Sequence, residues 1–447
     1  FIHLQKSCIE IVSICNFLRE KGHFKGNKMS TNKRRAVITG IGIISPYGMG
    51  VDKFWNSLIE GKSGISKIEN ISLEGHTVHV AGEIKNFEEF STIDSKDSKR
   101  MDRYTQFAVM AADEAVKDSG ISTENVDPYR FGVIVGSAAG GFATFEKQHH
   151  IIIERGPSKC SPFTVPMIIA DMGAGRISMK HGAKGLNKAV VTACATSAHC
   201  IGDALREIQY GEADAIIAGG AEAVITRLGI GAFTSARTLS KRNDEPTKAS
   251  RPYDRDRDGF VMSEGAAVVI VEELEHAKAR GAKIYGEIVG YGQTADAYDI
   301  VAPDPSGKGA AKAMELAVKD AGLKPGDIQY INSHGTSTGL GDVAESLAIA
   351  EVFGDLSVNK DLKVSSTKSM HGHMLGATGA AEAIVCLKVI NEGIIPPTIN
   401  LDNQDEHVAN LNYVPHKAIK AHVDCALSNS FGFGGHNASL VFKRYVD

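Results

Sequence analysis

Three short segments carry residues able to do chemistry, and all three share one layout: an apolar run, a sharp polar or glycine-rich loop, then a helical pattern. In open parallel sheets, reacting groups gather at such carboxyl ends of strands. The first segment is residues 189–197, AVVTACATS. Apolar residues at 200, 201, 204, 205 and 208 then fit one helical face. Cys194 is therefore expected at a strand-to-helix turn. The positive end of the helix favours thiolate there and should lower the thiol pKa. The alternative is a buried structural cysteine, which is how Cys200 inside the helix is read.

The second segment runs from a strand over 328–333 into His334-Gly335-Thr336-Ser337-Thr338, with a helix expected over 342–353. His334 suits a general base or a donor to an oxyanion, and a loop histidine capping a helix is the plainer alternative. The third segment, 364–373, holds Lys368, His371 and His373, and a small-residue helix with Glu382 follows. In an extended chain an H-x-H pair points to one side, as metal ligands can. No acid stands at a ligand-like spacing beside it, however, and Lys368 would repel a cation. A fourth stretch, 429–437, alternates glycines with Phe431 and Phe433. It suits a tight turn that lays backbone N–H groups near a ligand, with Phe433 as a movable lid, or simply a hairpin packing two aromatics.

These loops need strands to carry them. From Arg35 onward short β-branched runs (36–39, 133–135, 189–191, 215–217) alternate with longer helical patterns, which implies βαβ units and a mostly parallel sheet. A faint repeat supports two similar halves. Residues 115–120, AVKDSG, recur as AVKDAG at 317–322, and each copy ends a helix before a polar loop and a strand. The halves are expected to meet near residues 280–290, giving an extension over 1–33 and halves over 34–283 and 284–447. Gly40-Ile41-Gly42 after the first strand begins like a nucleotide fingerprint, but the third glycine is missing and Pro46 follows.

Composition narrows the class. The chain has 447 residues, 43% hydrophobic and 23% charged, which excludes a disordered chain and leaves room for a large core. Its 47 glycines with only 6% aromatics suit the close backbone packing of a large α/β enzyme. A net charge of −4 argues against nucleic acid as the main partner, while leaving room for a local basic patch. The seven scattered cysteines form no CxxC pair and favour free thiols in a reducing compartment. No stretch is apolar enough to span a membrane. Residues 1–28 precede a start-like Met29 and are read as a vector-encoded or misassigned extension, with an organellar leader as the alternative.

Taken together, TACAT around Cys194, HGTST from His334, KSMHGH from Lys368 and NSFGFGG from Asn429 resemble the β-ketoacyl-[acyl-carrier-protein] synthase II family of the thiolase-like superfamily. Supporting stretches are 249–260 and 396–401, and the resemblance runs from about Arg34 to the C-terminus. It implies the thiolase fold, duplicated α/β halves in a five-layer αβαβα arrangement, working as a homodimer. It implies a 3-oxoacyl synthase in which Cys194 carries the acyl chain, His334 and His373 complete the triad, and Lys368 and Glu382 set their electrostatics. The backbone N–H groups of Cys194 and Phe433 would bind the oxyanion. Thr336 and Thr338 would hold the phosphopantetheine arm, and Ala139 would lie deep in the acyl pocket, leaving room for longer chains. Lys96, Lys99, Arg100, Lys159 and Arg237 would dock an acidic acyl carrier protein, with Ser158 where a basic residue is common.

No metal and no further cofactor is implied, only thioesters borne by the carrier protein. The location implied is the bacterial cytoplasm, or an organellar stroma if residues 1–28 are a leader. A stand-alone polyketide ketosynthase shares the triad and stays open. From another class, a metal-dependent hydrolase using His334, His371 and His373 is the remote alternative.

Overall fold

The computed structural model describes residues 33–355 and 358–447. The expectations for residues 1–28, with Cys8 and Cys15, lie outside the described residues.

Ten strands form the body of one mixed sheet. The first five are β1 (Ala36–Ser45), β2 (Phe131–Gly136), β3 (Asn187–Lys188), β4 (Ala215–Glu222) and β5 (Gly265–Glu273). The second five are β6 (Gly286–Ala295), β7 (Tyr330–Asn332), β8 (Lys363–Ser365), β9 (Cys425–Gly432) and β10 (His436–Lys443). Their spatial order is β3-β2-β4-β5-β1-β6-β10-β9-β7-β8. Each half thus has its third, second, fourth, fifth and first strands side by side. The pairing types also repeat, with two parallel ladders followed by two antiparallel ones in each half. The halves join where Ala36–Ile38 of β1 runs antiparallel to residues 286–288 of β6.

The side-chain alternation of the strands builds the layers. Val268 and Ile270 of β5 pack with Phe107 of helix α1 (Arg103–Ser119) and Ile177 of α2 (Met172–His181) on one outer face. Val269 and Val271 point the other way, toward Ile201 and Leu205 of α3 (Thr196–Tyr210). In the second half, Leu427 and Val441 pack with Met314 of α4 (Lys308–Asp320) and Ile349 of α5 (Gly339–Phe353). Ala426, Leu440 and Phe442 turn inward to the same core as α3, where they meet Ile384 and Leu387 of α7 (Thr378–Glu392). The short helix α6 (Lys368–His371) precedes α7. The result is the expected αβαβα stack, with α3 and α7 as its middle layer.

The Gly-x-Gly after the first strand proves to be a packing device that the chain uses twice. A Cβ at Gly40 or Gly42 would stand 2.2 or 2.1 Å from the carbonyl oxygens of Ala115 and Ala111 in α1. At Gly290 and Gly292 it would stand 2.2 and 2.0 Å from those of Ala317 and Ala313 in α4. Only glycine lets the helix approach so closely. The repeated Asp follows the same plan. Asp118 accepts from the Ile41 N–H at 3.0 Å, and Asp320 accepts from the Tyr291 N–H at 3.1 Å.

One element differs from expectation. The apolar run 189–191 is not a strand, since β3 ends at Lys188 and pairs only with Val133 and Ile134 of β2. Beyond it the chain leaves the ladder to enter the turn, where the Thr192 N–H bonds the Thr196 hydroxyl at 3.0 Å. Val191 is consequently exposed.

Candidate active site

Cys194 lies in a single 3-10 turn, Ala193–Ala195, immediately before α3. Ala193 has φ +49°, a left-handed backbone rare for a residue with a side chain. This strained step carries the cysteine from the β3 edge onto the helix. The thiol points toward its own N–H and that of Phe433, in the turn between β9 and β10. The hairpin reading and the backbone-donor reading of 429–437 are thus the same object: the β9–β10 hairpin delivers Phe433 beside the sulfur.

The expected fall in the Cys194 pKa is reversed. Burial pushes the thiol up to about 12, against the opposing charge of Lys368 and the two N–H groups. The sequence placed the sulfur at a helix end but could not show that it is only 8% exposed. Taking a thiolate out of water outweighs the helix end.

His334 follows β7 and His373 follows α6, and both line one cavity of about 330 Å³ with Cys194. The two imidazoles meet edge to face, with centroids 5.4 Å apart. Burial, and then the charge of Lys368, hold both well below the ordinary histidine range, so both rings are neutral at neutral pH. Nδ1 of His373 shares a hydrogen bond with the Thr378 hydroxyl at 3.0 Å, while its Nε2 is buried without a partner. When Nδ1 accepts from the Thr378 hydroxyl, the neutral ring carries its proton on Nε2, which can donate it to an incoming oxygen. Lys368 sits behind the histidines, 2.5 Å from Glu382 of α7, and both are buried. Burial raises the Glu382 carboxyl, and Lys368 opposes that rise.

His371 does not join this group. Gly372 takes φ +72° directly after α6 and breaks the extended run that would align the H-x-H pair. His371 instead packs against Phe54 and bonds the Thr367 hydroxyl at 3.0 Å. Among the described residues no cluster of three or more His, Cys, Asp or Glu side chains has a metal-binding arrangement.

Thr336 and Thr338 line the cavity with their hydroxyls 3.1 Å apart, and Phe433 lines it with its ring 6.2 Å from Phe233. Ala139 lies on the loop after β2, exposed in the single chain and not among the residues lining the cavity with Cys194, and its N–H bonds Glu222. Of the basic residues, Arg237 alone lines the cavity. Lys96, Lys99 and Lys159 are exposed elsewhere, and the Arg100 guanidinium lies 4.9 Å from the centroid of the Phe163 ring.

Two acids were missed from the sequence. Glu345 accepts from the N–H groups of His334 and Gly335 at 2.7 Å each, and so holds the histidine loop. Asp342 accepts from the Ser337 N–H. The available signal was Asp342 and Glu345, two acids three residues apart early in α5, a spacing that puts both on one face.

The duplication extends to the site. Leu375, at φ +44°, opens a 3-10 turn Leu375–Ala377 directly before α7, as Ala193 does before α3. Gly376 thereby occupies the place that Cys194 holds in the first half. Its N–H donates to Glu222, which also accepts from Ser137 Oγ and from the N–H groups of Ala138 and Ala139. A buried internal carboxylate thus fills the second turn, and only the first turn presents a nucleophile.

A duplicated sheet with one cysteine turn, two neutral histidines and paired N–H donors is the architecture of a ketosynthase. Residues 33–277 match the beta-ketoacyl synthase N-terminal domain and residues 285–402 the C-terminal domain, and the chain belongs to the beta-ketoacyl synthase family. It is 49% identical to the 3-oxoacyl-[acyl-carrier-protein] synthase 2 of Synechocystis over 92% of this chain and 99% of that protein. It is 50% identical to the protein of the same name from Staphylococcus aureus strain N315, over 93% and 100%. Among solved structures it is similar to a beta-ketoacyl synthase from Burkholderia phymatum, with TM-score 0.84 and 33% identity over 92% of this chain and all of that one. A type II polyketide ketosynthase solved with its acyl-carrier protein gives TM-score 0.84 and 32% identity over 93% and 100%.

Proposed function

We propose that the chain is a 3-oxoacyl-[acyl-carrier-protein] synthase of the type II fatty-acid class, elongating an acyl chain by two carbons. The observation that carries this reading is one cavity holding Cys194, two neutral imidazoles and the Phe433 N–H together.

Cys194 Sγ attacks the thioester carbonyl of an acyl-carrier protein and loses its proton as the C–S bond forms. The N–H groups of Cys194 and Phe433 take the oxyanion. The tetrahedral adduct collapses, the carrier leaves as its thiol, and the acyl group stays on the cysteine. Malonyl-carrier protein enters next, with Thr336 and Thr338 on its phosphopantetheine arm. Cleavage of the bond to the carboxylate releases carbon dioxide and leaves its electron pair as an enolate, whose oxygen accepts from His334 and His373. Neutral rings can fill this role because each still carries one N–H to donate in a hydrogen bond. The enolate carbon attacks the acyl carbonyl, the Cys194 thiolate departs, and a 3-oxoacyl thioester results.

Burial, with the charge of Lys368 added to it, keeps the histidines neutral, and Glu382 pairs with Lys368. The chain needs no metal or cofactor of its own for these steps. A carrier protein as partner is supported by the solved relative bound to one, and Arg237 sets a basic group at the cavity. Pairing with a second copy is supported by exposed Phe145, Ile153, Val165 and Val191. The bacterial cytoplasm is the proposed location; among the described residues no helix is long and apolar enough to cross a membrane. The identity of 49–50% to synthase 2 proteins, against 32% to the polyketide ketosynthase, favours the fatty-acid role.

The test is condensation of acyl- and malonyl-carrier protein by the wild type, Cys194→Ala and Cys194→Gln. Both variants should lose condensation, and Cys194→Gln should keep or gain malonyl decarboxylation. Condensation retained by either variant refutes the reading.

A further inference from the structure

The strap Thr336-Ser337-Thr338-Gly339 has an unusual backbone. Ser337 takes φ +73°, a conformation that L-residues adopt only when their surroundings impose it. The imposing groups can be named. The Ser337 N–H donates to Asp342 Oδ1 at 3.1 Å, its carbonyl accepts from the Gly259 N–H at 3.1 Å, and its hydroxyl accepts from the Arg251 N–H at 3.0 Å. Arg257 secures the next two residues. Its Nε donates to the Thr338 carbonyl at 2.9 Å and its Nη2 to the Gly339 carbonyl at 2.7 Å. Its Nη1 reaches back to the Asp254 carbonyl at 2.8 Å and the Asp405 carboxylate at 2.6 Å. The side chain is 3% exposed and does not line the Cys194 cavity.

We infer that Arg257 is a positioning residue for the thioester arm. It acts through the carbonyls of Thr338 and Gly339 to hold the hydroxyls of Thr336 and Thr338, 3.1 Å apart, toward the cavity. It touches no substrate and takes no part in the bond changes at Cys194. The planar fork is essential, because two carbonyls on successive residues and two further acceptors are met at once. A lysine ammonium cannot span that set. This inference rests on the proposed function, in which the two threonines bind the carrier's arm.

The test uses the full chain with Arg257→Lys and Arg257→Ala. Losing charge-assisted bonds to the strap should raise KM for malonyl-carrier protein about 10-fold in both variants, with kcat within about threefold of wild type. Alkylation of Cys194 by iodoacetamide, which does not use the strap, should stay within about twofold and report an intact site. Millimolar guanidinium should restore KM in Arg257→Ala and leave the wild type unchanged. If KM is unaltered in both variants while the wild type condenses, the Arg257 assignment is overturned alone. A fall in kcat together with slowed alkylation also overturns it, since that pattern marks general disordering. A wild type that does not condense overturns both the inference and the functional reading beneath it.

Discussion

The protonation of Cys194 decides how its site must work, and two opposing physical effects give it opposite signs. The helix end alone would pull the thiol below its ordinary value of 9.0, whereas burial pushes it up to about 12. At pH 8 a pKa of about 12 leaves about one part in 10,000 as thiolate, against about one part in ten for an unperturbed thiol. The more basic thiolate is the stronger nucleophile, which returns a factor of about 20 for a Brønsted slope near 0.45. Free Cys194 should therefore be alkylated about 50-fold more slowly than an exposed cysteine at pH 8. The rate should climb tenfold per pH unit with no plateau below about pH 11. The assay is iodoacetamide incorporation from pH 6.5 to 10.5, with the incorporation into Cys194→Ala subtracted because Cys160 is partly exposed. A plateau with its midpoint at or below pH 8 refutes the argument and hands the site to the helix end. If the slow rate is found, deprotonation in the acyl-transfer step must be coupled to attack, with the Phe433 N–H ready for the charge as it develops.

Three more outcomes follow from the packing. Lys368→Met leaves Glu382 buried without its partner and should cost about 3–5 kcal/mol in denaturant unfolding. Lys368→Met combined with Glu382→Leu should cost less than Lys368→Met alone, and a double variant worse than that single one contradicts the pairing. Gly42→Ala and Gly292→Ala set a methyl about 2 Å from a helix carbonyl and should each destabilise by about 2–3 kcal/mol. Gly326→Ala meets nothing within 4 Å and should stay within about 0.5 kcal/mol; equal stabilities for all three would remove the close-approach argument. Burial holds His371 at about 3 against an ordinary 6.5, so the unfolded chain takes the proton first as pH falls. Its share of stability is present above about 6.5 and is lost at up to about 1.4 kcal/mol per pH unit from there down to about 3. His371→Gln should remove that share of the slope, and an unchanged slope counts against it.

Much of the molecule was legible because local rules sufficed. The six-residue repeat at 115 and 317 identified a duplication, since each copy ends a helix that packs on the first strand of its half. The turn at Cys194 followed from a small-residue loop before a 3.6-period pattern. The parting of His371 from His373 was not legible, because one glycine at φ +72° separates them and a single such residue leaves no periodic trace. Glu345 was missed because its partners are the N–H groups of His334 and Gly335, 11 and 10 residues earlier in the chain.

The sequence by itself determined the halves, the order of their strands and helices, and the residue types at each turn, because propensity and periodicity act over a few neighbours. No local rule brings the β9–β10 turn, more than 200 residues beyond Cys194, to the sulfur as its second N–H donor: the resemblance implied it, and the tertiary contact makes it. The tertiary structure alone decided that Lys368 faces Glu382 and that Gly376 faces Glu222. The same holds for charge. Whether a thiol or an imidazole is ionised depends on how much water the fold removes and which charges it brings near, and both are sums over residues distant in the chain.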